Sequence, residues 1–220
     1  MYHSIGDNKI FFTIKPEDFK KQMNWLYRKG YKVIFLKELA EIIGKSHNLP
    51  SKTVVLTLDD GFEDNYFEVF PILKKYGFPA TVFLATDFIG KEKKSESTGV
   101  SLKTLNWEQI KEMHDSGLVD FEPHTCSHRE LPRISPEEAR LEILNSKRII
   151  EEALNKECCF FAYPRGKYNQ GVVAVLRENN FLAALTVNPG RARMGVDLLR
   201  LPRQSIDSST GRLQFLYKIS

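Results

Sequence analysis

Two adjacent carboxylates end one of the most apolar strand-like segments of the sequence. Residues 54–62 read Val-Val-Leu-Thr-Leu-Asp-Asp-Gly-Phe, so Asp59, Asp60 and Gly61 follow directly on an apolar run. In parallel α/β folds the carboxyl ends of the strands hold the active site, and a glycine lets the backbone turn away there. Neighbouring side chains on an extended chain diverge, so one carboxylate can bind a metal ion while the other transfers protons. An ordinary Asp-Gly turn with solvated carboxylates fits the same residues.

Two histidines lie four residues apart in the segment Phe-Glu-Pro-His-Thr-Cys-Ser-His, which places them at His124 and His128. On a helix or a tight loop, this spacing can direct both rings at one ion. Such a pair also occurs on surfaces and in cores without any ligand role. The chain has only five histidines, and two imidazoles with one carboxylate leave coordination positions open, as in zinc sites that activate water. Together with Asp60, the pair predicts a catalytic metal site.

A third segment joins an apolar strand to a proline-glycine turn. Residues 160–169 read Phe-Phe-Ala-Tyr-Pro-Arg-Gly-Lys-Tyr-Asn. A turn of this kind can present a backbone amide to a developing oxyanion. A simple β-α loop would have the same sequence pattern, so the segment alone does not decide between the two.

The elements that must position these residues alternate between short apolar runs and amphipathic segments, which is typical of a parallel sheet built from β-α units. Strands are predicted at residues 31–36, 53–58, 80–84, 160–162 and 183–186. Helices are predicted at 16–29, at 36–43, at 64–76 with a kink at Pro71, and from an N-cap at Ser135 to about residue 155. Trp107 is expected to start a helix and pack in the core. Residues 91–103, rich in Lys, Ser and Gly, predict a mobile surface loop.

Size and composition exclude several classes of protein. The chain has 220 residues, no internal repeat and no dividing linker, so a single α/β domain over residues 1–220 is expected. The formal charge of +4 comes from Lys and Arg scattered among Asp and Glu, which indicates solvated helix faces and no nucleic-acid binding. A weak attraction to anionic glycans or lipid head groups stays open. The apolar runs are strand-sized, which argues against a transmembrane segment.

The cysteines bear on the compartment. Cys126, Cys158 and Cys159 cannot all pair, and free thiols suggest a reducing environment. The opening residues Met-Tyr-His-Ser-Ile contain no secretory signal, so a cytoplasmic location is favoured. A trimmed N-terminus would look the same, which leaves an extracellular or membrane-associated location open. The sequence does not fix the oligomeric state.

Taken in order, three motifs carry a family resemblance. Thr-Leu-Asp-Asp-Gly at 57–61, His-Thr-x-x-His at 124–128 and Phe-Ala-Tyr-Pro-x-Gly at 161–166 resemble the polysaccharide deacetylases of the NodB-homology type, carbohydrate esterase family 4. The resemblance implies a distorted (β/α) barrel with about seven parallel strands. It also implies hydrolysis of an N-acetyl group on an amino sugar, so that the partner is an N-acetylated glycan or glycolipid substrate.

The resemblance assigns roles to the residues of the first two motifs. Asp59 would be the general base, and the metal ligands would be Asp60, His124 and His128. Zn²⁺ is the expected ion because two nitrogens and one oxygen suit it, while Co²⁺, Ni²⁺ or Fe²⁺ would fit the same ligands.

The general acid departs from the common family pattern. That pattern supplies a Leu-x-His histidine near the C-terminus, whereas this chain has Leu-Pro-Arg at 201–203 and no histidine after His128. A branch resembling the poly-N-acetylglucosamine deacetylases takes the histidine from a Tyr-His on the first strand, and this chain begins Met-Tyr-His. His3 is therefore the candidate acid, although an ordinary histidine near a chain end fits as well. The few residues before it make the first strand look clipped, which suggests a trimmed or misassigned start.

The third motif would supply an oxyanion contact through the backbone amide of Arg165. Many family members have Tyr at this position, so any contact made by that side chain is lost here. Candidate substrate contacts are Tyr163, Pro164, Asn188 and Arg203. Of these, Asn188 and Arg203 could equally be a turn residue or a structural ion-pair partner.

Two alternatives to this function remain. The absent C-terminal histidine and the Arg165 substitution are compatible with a glycan-binding pseudoenzyme that has lost turnover. The same metal site could instead hydrolyse another non-peptide amide, such as a cyclic imide or a ureide.

Overall fold

Helices and mostly parallel strands alternate along the chain. The computed structural model describes residues 1–45, 49–95 and 98–219. The strands are β1 (Ser4–Ile5), β2 (Thr13–Ile14), β3 (Lys32–Val33), β4 (Thr53–Val54), β5 (Thr57–Asp60), β6 (Ala80–Leu84), β7 (Glu92–Lys94), β8 (Ser101–Lys103), β9 (Val119–Pro123), β10 (Phe160–Ala162), β11 (Ala183–Pro189) and β12 (Leu201–Arg203). The α-helices are α1 (Pro16–Arg28), α2 (Leu36–Gly44), α3 (Phe70–Tyr76), α4 (Trp107–Asp115), α5 (Pro136–Leu154), α6 (Gln170–Glu178) and α7 (Arg212–Ile219).

Parallel pairing dominates the sheets. The neighbours are β1-β2, β3-β4, β5-β6-β9 and β10-β11-β12, all parallel, while β7 and β8 form an antiparallel hairpin. A bridge between Tyr2 and Leu58 places the first residues of the chain beside β5. The predicted α/β class is confirmed. The ladders of the described residues are separate sheets and do not by themselves demonstrate a closed barrel of seven strands, so that part stays a prediction.

The register of the central sheet brings the first two motifs to one edge. Asp60 lies opposite Leu84 of β6, and Leu84 lies opposite Pro123, the last residue of β9. Strands β5 and β9 therefore end at the same level, and His124 follows β9 directly. Because carboxyl ends of parallel strands share one edge, the carboxylates and the histidines meet there.

Most predicted elements are confirmed within a residue or two. Strands β6 and β10 match their predicted bounds, β11 runs on to Pro189, and the strand expected at 53–58 is split into β4 and β5. The strand expected at 31–36 is only Lys32–Val33, because α2 already begins at Leu36.

The expected helix boundaries follow local chemistry. Ser135 caps α5 by accepting the amide of Glu138 at 3.2 Å, and the Glu138 carboxylate accepts the Ser135 amide at 3.0 Å. The kink expected near Pro71 is a change of helix type, from a π-helical turn at Asn65–Val69 to α3, which begins at Phe70. Trp107 starts α4 and packs, partly buried, against the core.

The surface loop predicted for residues 91–103 is a β-hairpin instead. Its strands pair in register from Glu92 with Lys103 to Lys94 with Ser101. Gly99 adopts a φ of +72°, a conformation that favours glycine, and the Ser95 amide donates to the Val100 carbonyl at 2.8 Å. The polar composition of the segment concealed its strand alternation.

Three clusters of buried apolar side chains support the sheets, and the largest includes Met23, Val82 and Phe121, each less than 1% exposed. No helix among the residues that the structure describes is long and apolar enough to cross a membrane.

Candidate active site

The turn after β5 sets the geometry of the two carboxylates. Asp59 and Asp60 are 2% and 6% exposed. Asp60 has a φ of +75° and Gly61 one of +67°. A Cβ atom on Gly61 would lie 2.5 Å from the Leu84 side chain, so only glycine fits at this position. The chain turns sharply here and leaves both carboxylates at the strand end.

Asp60, His124 and His128 form a cluster whose ligand atoms all lie within 4.8 Å of one another. The Oδ1 atom of Asp60 is 3.2 Å from Nε2 of His128 and 3.9 Å from Nε2 of His124. Nδ1 of His124 donates to the carbonyl of Ala162 at 2.6 Å, which leaves its Nε2 lone pair for an ion.

The electrostatics of this cluster fit a divalent cation. Burial lowers the pKa of His124 and brings the pKa of His128 to about 3, so both rings are neutral at pH 7, as metal ligands must be. Burial alone would raise the pKa of Asp60, but the charge of Lys93 keeps it well below its usual range. Two neutral imidazoles and one carboxylate are a donor set that zinc uses.

Asp59 has a different partner. Nη1 and Nη2 of Arg203 donate to its two carboxylate oxygens at 2.7 and 2.6 Å, and Nε of Arg203 donates to the carbonyl of Thr186 at 2.9 Å. Burial acts to raise the pKa of Asp59, but the charge and the hydrogen bonds of Arg203 outweigh it and lower that pKa to about 2. Arg203 is 6% exposed and fully engaged. Arg203 is therefore a buried ion-pair partner of Asp59, one of the two roles expected for it, and its contact with a substrate stays a prediction.

One cavity of about 320 Å³, here called the site cavity, joins these groups. It is lined by His3, Phe12, Asp59, Asp60, Phe62, Lys93, Lys94, Ser95, Leu102, His124, His128, Arg165 and Val187. The structure thus brings together the candidate base, the three candidate ligands, the candidate acid and the candidate oxyanion residue.

His3 reaches the site cavity from the segment before β1. Its ring lies 5.2 Å from that of Phe12, and its carbonyl accepts the side-chain amide of Asn65 at 2.9 Å. Burial lowers the pKa of His3, while the charges of Asp59 and Asp60 act to raise it. The location agrees with the proposed role as an acid, and the role itself stays a prediction.

Arg165 lies in a 3-10 turn, Pro164–Gly166, with a φ of +54°. Gly166 has a φ of +67°, and a Cβ there would lie 2.7 Å from the amide nitrogen of Val187. The guanidinium of Arg165 points to Glu130, with 3.5 Å between Nη1 and Oε1. The side chain is therefore directed at an ion pair, while the turn lies at the cavity wall.

Three further predicted substrate contacts do not line the site cavity. Tyr163 is fully buried and its hydroxyl donates to the carbonyl of Leu199 at 2.8 Å, so its side chain belongs to the core. Pro164 is buried in the same turn, and Asn188 is exposed on β11. The cavity lining includes neither of them. The contact of these three residues with a substrate stays a prediction.

No motif in the sequence pointed to Lys93. Its Nζ lies 2.5 Å from Oδ1 of Asp60, and the side chain is only 14% exposed. Lys93 is on β7 of the hairpin, so the interpretation of this segment as a loop hid it. Phe62 and Leu102 were also missed as cavity walls, although Phe62 directly follows the Asp-Asp-Gly turn.

Comparison with known proteins agrees with this geometry. The polysaccharide deacetylase family model matches residues 46–184. The Bacillus subtilis protein YxkH is 31% identical over 203 residues, covering 92% of this chain and 68% of that protein. Poly-beta-1,6-N-acetyl-D-glucosamine N-deacetylase of Staphylococcus epidermidis is 30% identical over 201 residues, covering 87% and 67%. The chain thus spans about two thirds of the length of these relatives.

Solved structures resemble nearly the whole chain. The Streptococcus pyogenes deacetylase PplD, in complex with acetate, has a TM-score of 0.86 at 28% identity and covers 100% of this chain and 96% of its own. IcaB from Ammonifex degensii has a TM-score of 0.85 at 26% identity, with coverages of 100% and 95%.

The α/β fold with two carboxylates and two histidines at one strand edge defines a hydrolase of the carbohydrate deacetylase class. More particularly, the chain belongs to the polysaccharide deacetylase family.

Proposed function

We propose that the chain removes N-acetyl groups from an amino sugar in a polysaccharide or glycoconjugate, on a distorted (β/α) barrel. The observation that carries the proposal is the convergence of Asp59 with the cluster of Asp60, His124 and His128 in one cavity. A relative named as an N-deacetylase of poly-N-acetylglucosamine supports the choice of an acetylated amino sugar.

Asp60, His124 and His128 would hold the divalent ion, for which we propose Zn²⁺. When bound, such an ion lowers the pKa of water and polarises an acetyl carbonyl. The neutral imidazoles of His124 and His128 and the ionised carboxylate of Asp60 are in the protonation states that binding such an ion requires.

The residues around the ion divide the proton transfers between them. Asp59, kept ionised by Arg203, takes a proton from the attacking water as its oxygen bonds to the acetyl carbon. The amide of Arg165 donates a hydrogen bond to the developing oxyanion. His3, in its protonated form, donates a proton to the sugar nitrogen as the carbon–nitrogen bond breaks, and Asp59 releases the proton it took to solvent. The products are acetate and a free amine.

Acetate release from N-acetylated sugar oligomers, with and without chelator, tests the reaction. Asp59→Asn is expected to lower kcat by at least about a hundredfold, the usual contribution of a positioned base, with the metal content unchanged. The matched control is Asp115→Asn at the end of α4, a residue that does not line the site cavity. A fully active Asp59→Asn variant would refute the assignment.

The metal and the acid need separate measurements. His128→Ala is expected to lower the metal content found by elemental analysis, and that analysis also distinguishes zinc from cobalt, nickel and iron. His3→Ala is expected to lower kcat, with His114→Ala on α4 as the control. An unchanged rate in His3→Ala would mean that another group supplies the proton. Binding of metal and saccharide with no acetate release from any sugar in the panel would favour the inactive glycan-binding alternative.

A further inference from the structure

The turn that carries the two candidate histidine ligands has an unfavourable backbone. Thr125 has a φ of +68° and His128 one of +59°. A β-branched residue rarely adopts a positive φ. Such conformations persist only where the surrounding structure fixes them, and they are frequent at ligand clamps. The contacts of residues 124–128 therefore decide whether both rings point at the same place.

One side of the turn is held by its carbonyl groups. The Thr86 amide donates to the carbonyl of Thr125 at 3.2 Å, and the Asp87 amide donates to the carbonyl of Cys126 at 2.9 Å. These donors belong to a 3-10 turn that follows β6. Within the turn itself, the His128 amide donates to the Thr125 hydroxyl at 3.0 Å.

The other side is held by one carboxylate, that of Glu142. Its Oε2 accepts the amides of Cys126 and Ser127, both at 2.9 Å, and its Oε1 accepts the Ser127 hydroxyl at 2.5 Å. In the part of the chain that the structure describes, no other hydrogen-bond acceptor is recorded for these two amides. Hydrogen bonds from backbone amides to an ionised carboxylate are among the strong ones.

Glu142 is well placed to transmit rigidity. It lies on α5, where the neighbouring Ile143 is fully buried and Ala139 is 3% exposed, so the helix is packed against the core at this point. A site supported by a packed helix is held more precisely than one supported by a loop.

We propose that Glu142 is a positioning residue of the metal centre, fixing the backbone at residues 125–128 so that His124 and His128 converge on one ion. The inference rests on the proposed function only in requiring that the chain bind a divalent metal. Glu142 does not line the site cavity, and its carboxylate accepts hydrogen bonds from the amides of Cys126 and Ser127, so its effect passes through the backbone.

Zinc affinity, measured by competition with a chromogenic chelator, tests the role directly and independently of turnover. Glu142→Ala is expected to bind Zn²⁺ about 10- to 100-fold more weakly than the parent chain, the usual effect of removing an outer-shell partner. Glu142→Gln keeps one acceptor oxygen and is expected to fall between the two. The control is Glu152→Ala on the same helix, whose exposed side chain pairs with Arg148. Its zinc affinity should stay within about twofold of the parent value.

Equal zinc affinity in the parent chain and a folded Glu142→Ala variant would overturn the proposal. A merely structural role would lower the melting temperature of the chelated variant and leave the affinity unchanged. If Glu142→Ala does not fold, Glu142→Gln and Ser127→Ala replace it in the test, because each removes only part of the hydrogen bonding between Glu142 and the turn. Parental zinc affinity in both variants would equally overturn the proposal. A parent chain that binds no divalent metal would instead contradict the proposed function.

Discussion

Replacing Arg203 by methionine tests how the candidate base is kept charged inside the protein. The substitution preserves an unbranched side chain of similar length but removes both hydrogen bonds to Asp59. The pKa of Asp59 falls from its usual 3.8 to about 2 in spite of burial. At about 1.4 kcal/mol for each pKa unit, the folded state favours the ionised carboxylate by roughly 2 kcal/mol.

Without Arg203, the folded state no longer favours the ionised form of Asp59, and the energetic cost of burying this carboxylate is no longer offset. Breaking a buried ion pair on one side costs about 3–5 kcal/mol, because the remaining charge is uncompensated. We therefore expect Arg203→Met to lower the free energy of unfolding by about 3–5 kcal/mol at pH 7. The stabilising contribution of ionised Asp59 is present above pH 4 and is lost as pH falls toward 2. The loss of stability caused by Arg203→Met should therefore be smaller in acid.

Urea denaturation of chelated protein at pH 7 measures this effect. Arg140→Met removes an exposed pair with Glu178, with side chains 41% and 63% exposed, and should cost no more than about 1 kcal/mol. The double variant Asp59→Asn/Arg203→Met should recover most of the loss, because neither member of the pair is then left charged without its partner. A loss below about 1 kcal/mol in Arg203→Met, or no recovery in the double variant, would refute the reasoning.

Three further predictions follow from other parts of the molecule. Burial raises the pKa of Asp64 to about 6, so this residue stabilises the fold fully below pH 4 and loses that contribution, worth about 3 kcal/mol, as pH rises through 6. In Asp64→Asn, the free energy of unfolding measured in urea between pH 4 and 7 should lack this decline. Gly166→Ala should destabilise the fold and lower kcat, because its Cβ would meet Val187; parental stability and rate in this variant would contradict it. Zinc at 100 times its dissociation constant should stabilise the protein by about 2.7 kcal/mol. In thermal melts, this stabilisation should disappear when chelator is added and in the His128→Ala variant, and the same stabilisation by zinc in His128→Ala would exclude His128 as a ligand.

The candidate ligands were predictable because each lies at the end of a strand, or shortly after it, and the apolar runs of both strands are visible in the sequence. Once β5 and β9 are placed in one parallel sheet, Asp60 and His124 must lie at the same edge. The packing of the Tyr163 side chain in the core was predictable as well. Tyr163 shares a strand face with Phe161, and both side chains lie in the same core cluster.

Two other contacts had no local signal. Arg203 and Asp59 are 144 positions apart in the chain, and only the pairing of distant strands makes them neighbours. Lys93 reaches Asp60 because the hairpin folds back over the strand edge, with the Glu63 amide donating to the Lys103 carbonyl at 2.9 Å. Neither the amino-acid composition nor the hydrophobic periodicity of the sequence specifies such a tertiary contact.

The hairpin formed by β7 and β8 is closed at its base as well as along its strands. The Gly90 amide donates to the Leu105 carbonyl at 2.8 Å, the Thr104 amide donates to the Lys91 carbonyl at 2.9 Å, and the Leu105 amide returns to the carbonyl of Gly61. Insertions and deletions between residues 91 and 104 can therefore change the cavity rim without moving the strand that bears the carboxylates. We therefore expect this hairpin, rather than the strand that bears the carboxylates, to be the segment to exchange when substrate specificity is engineered.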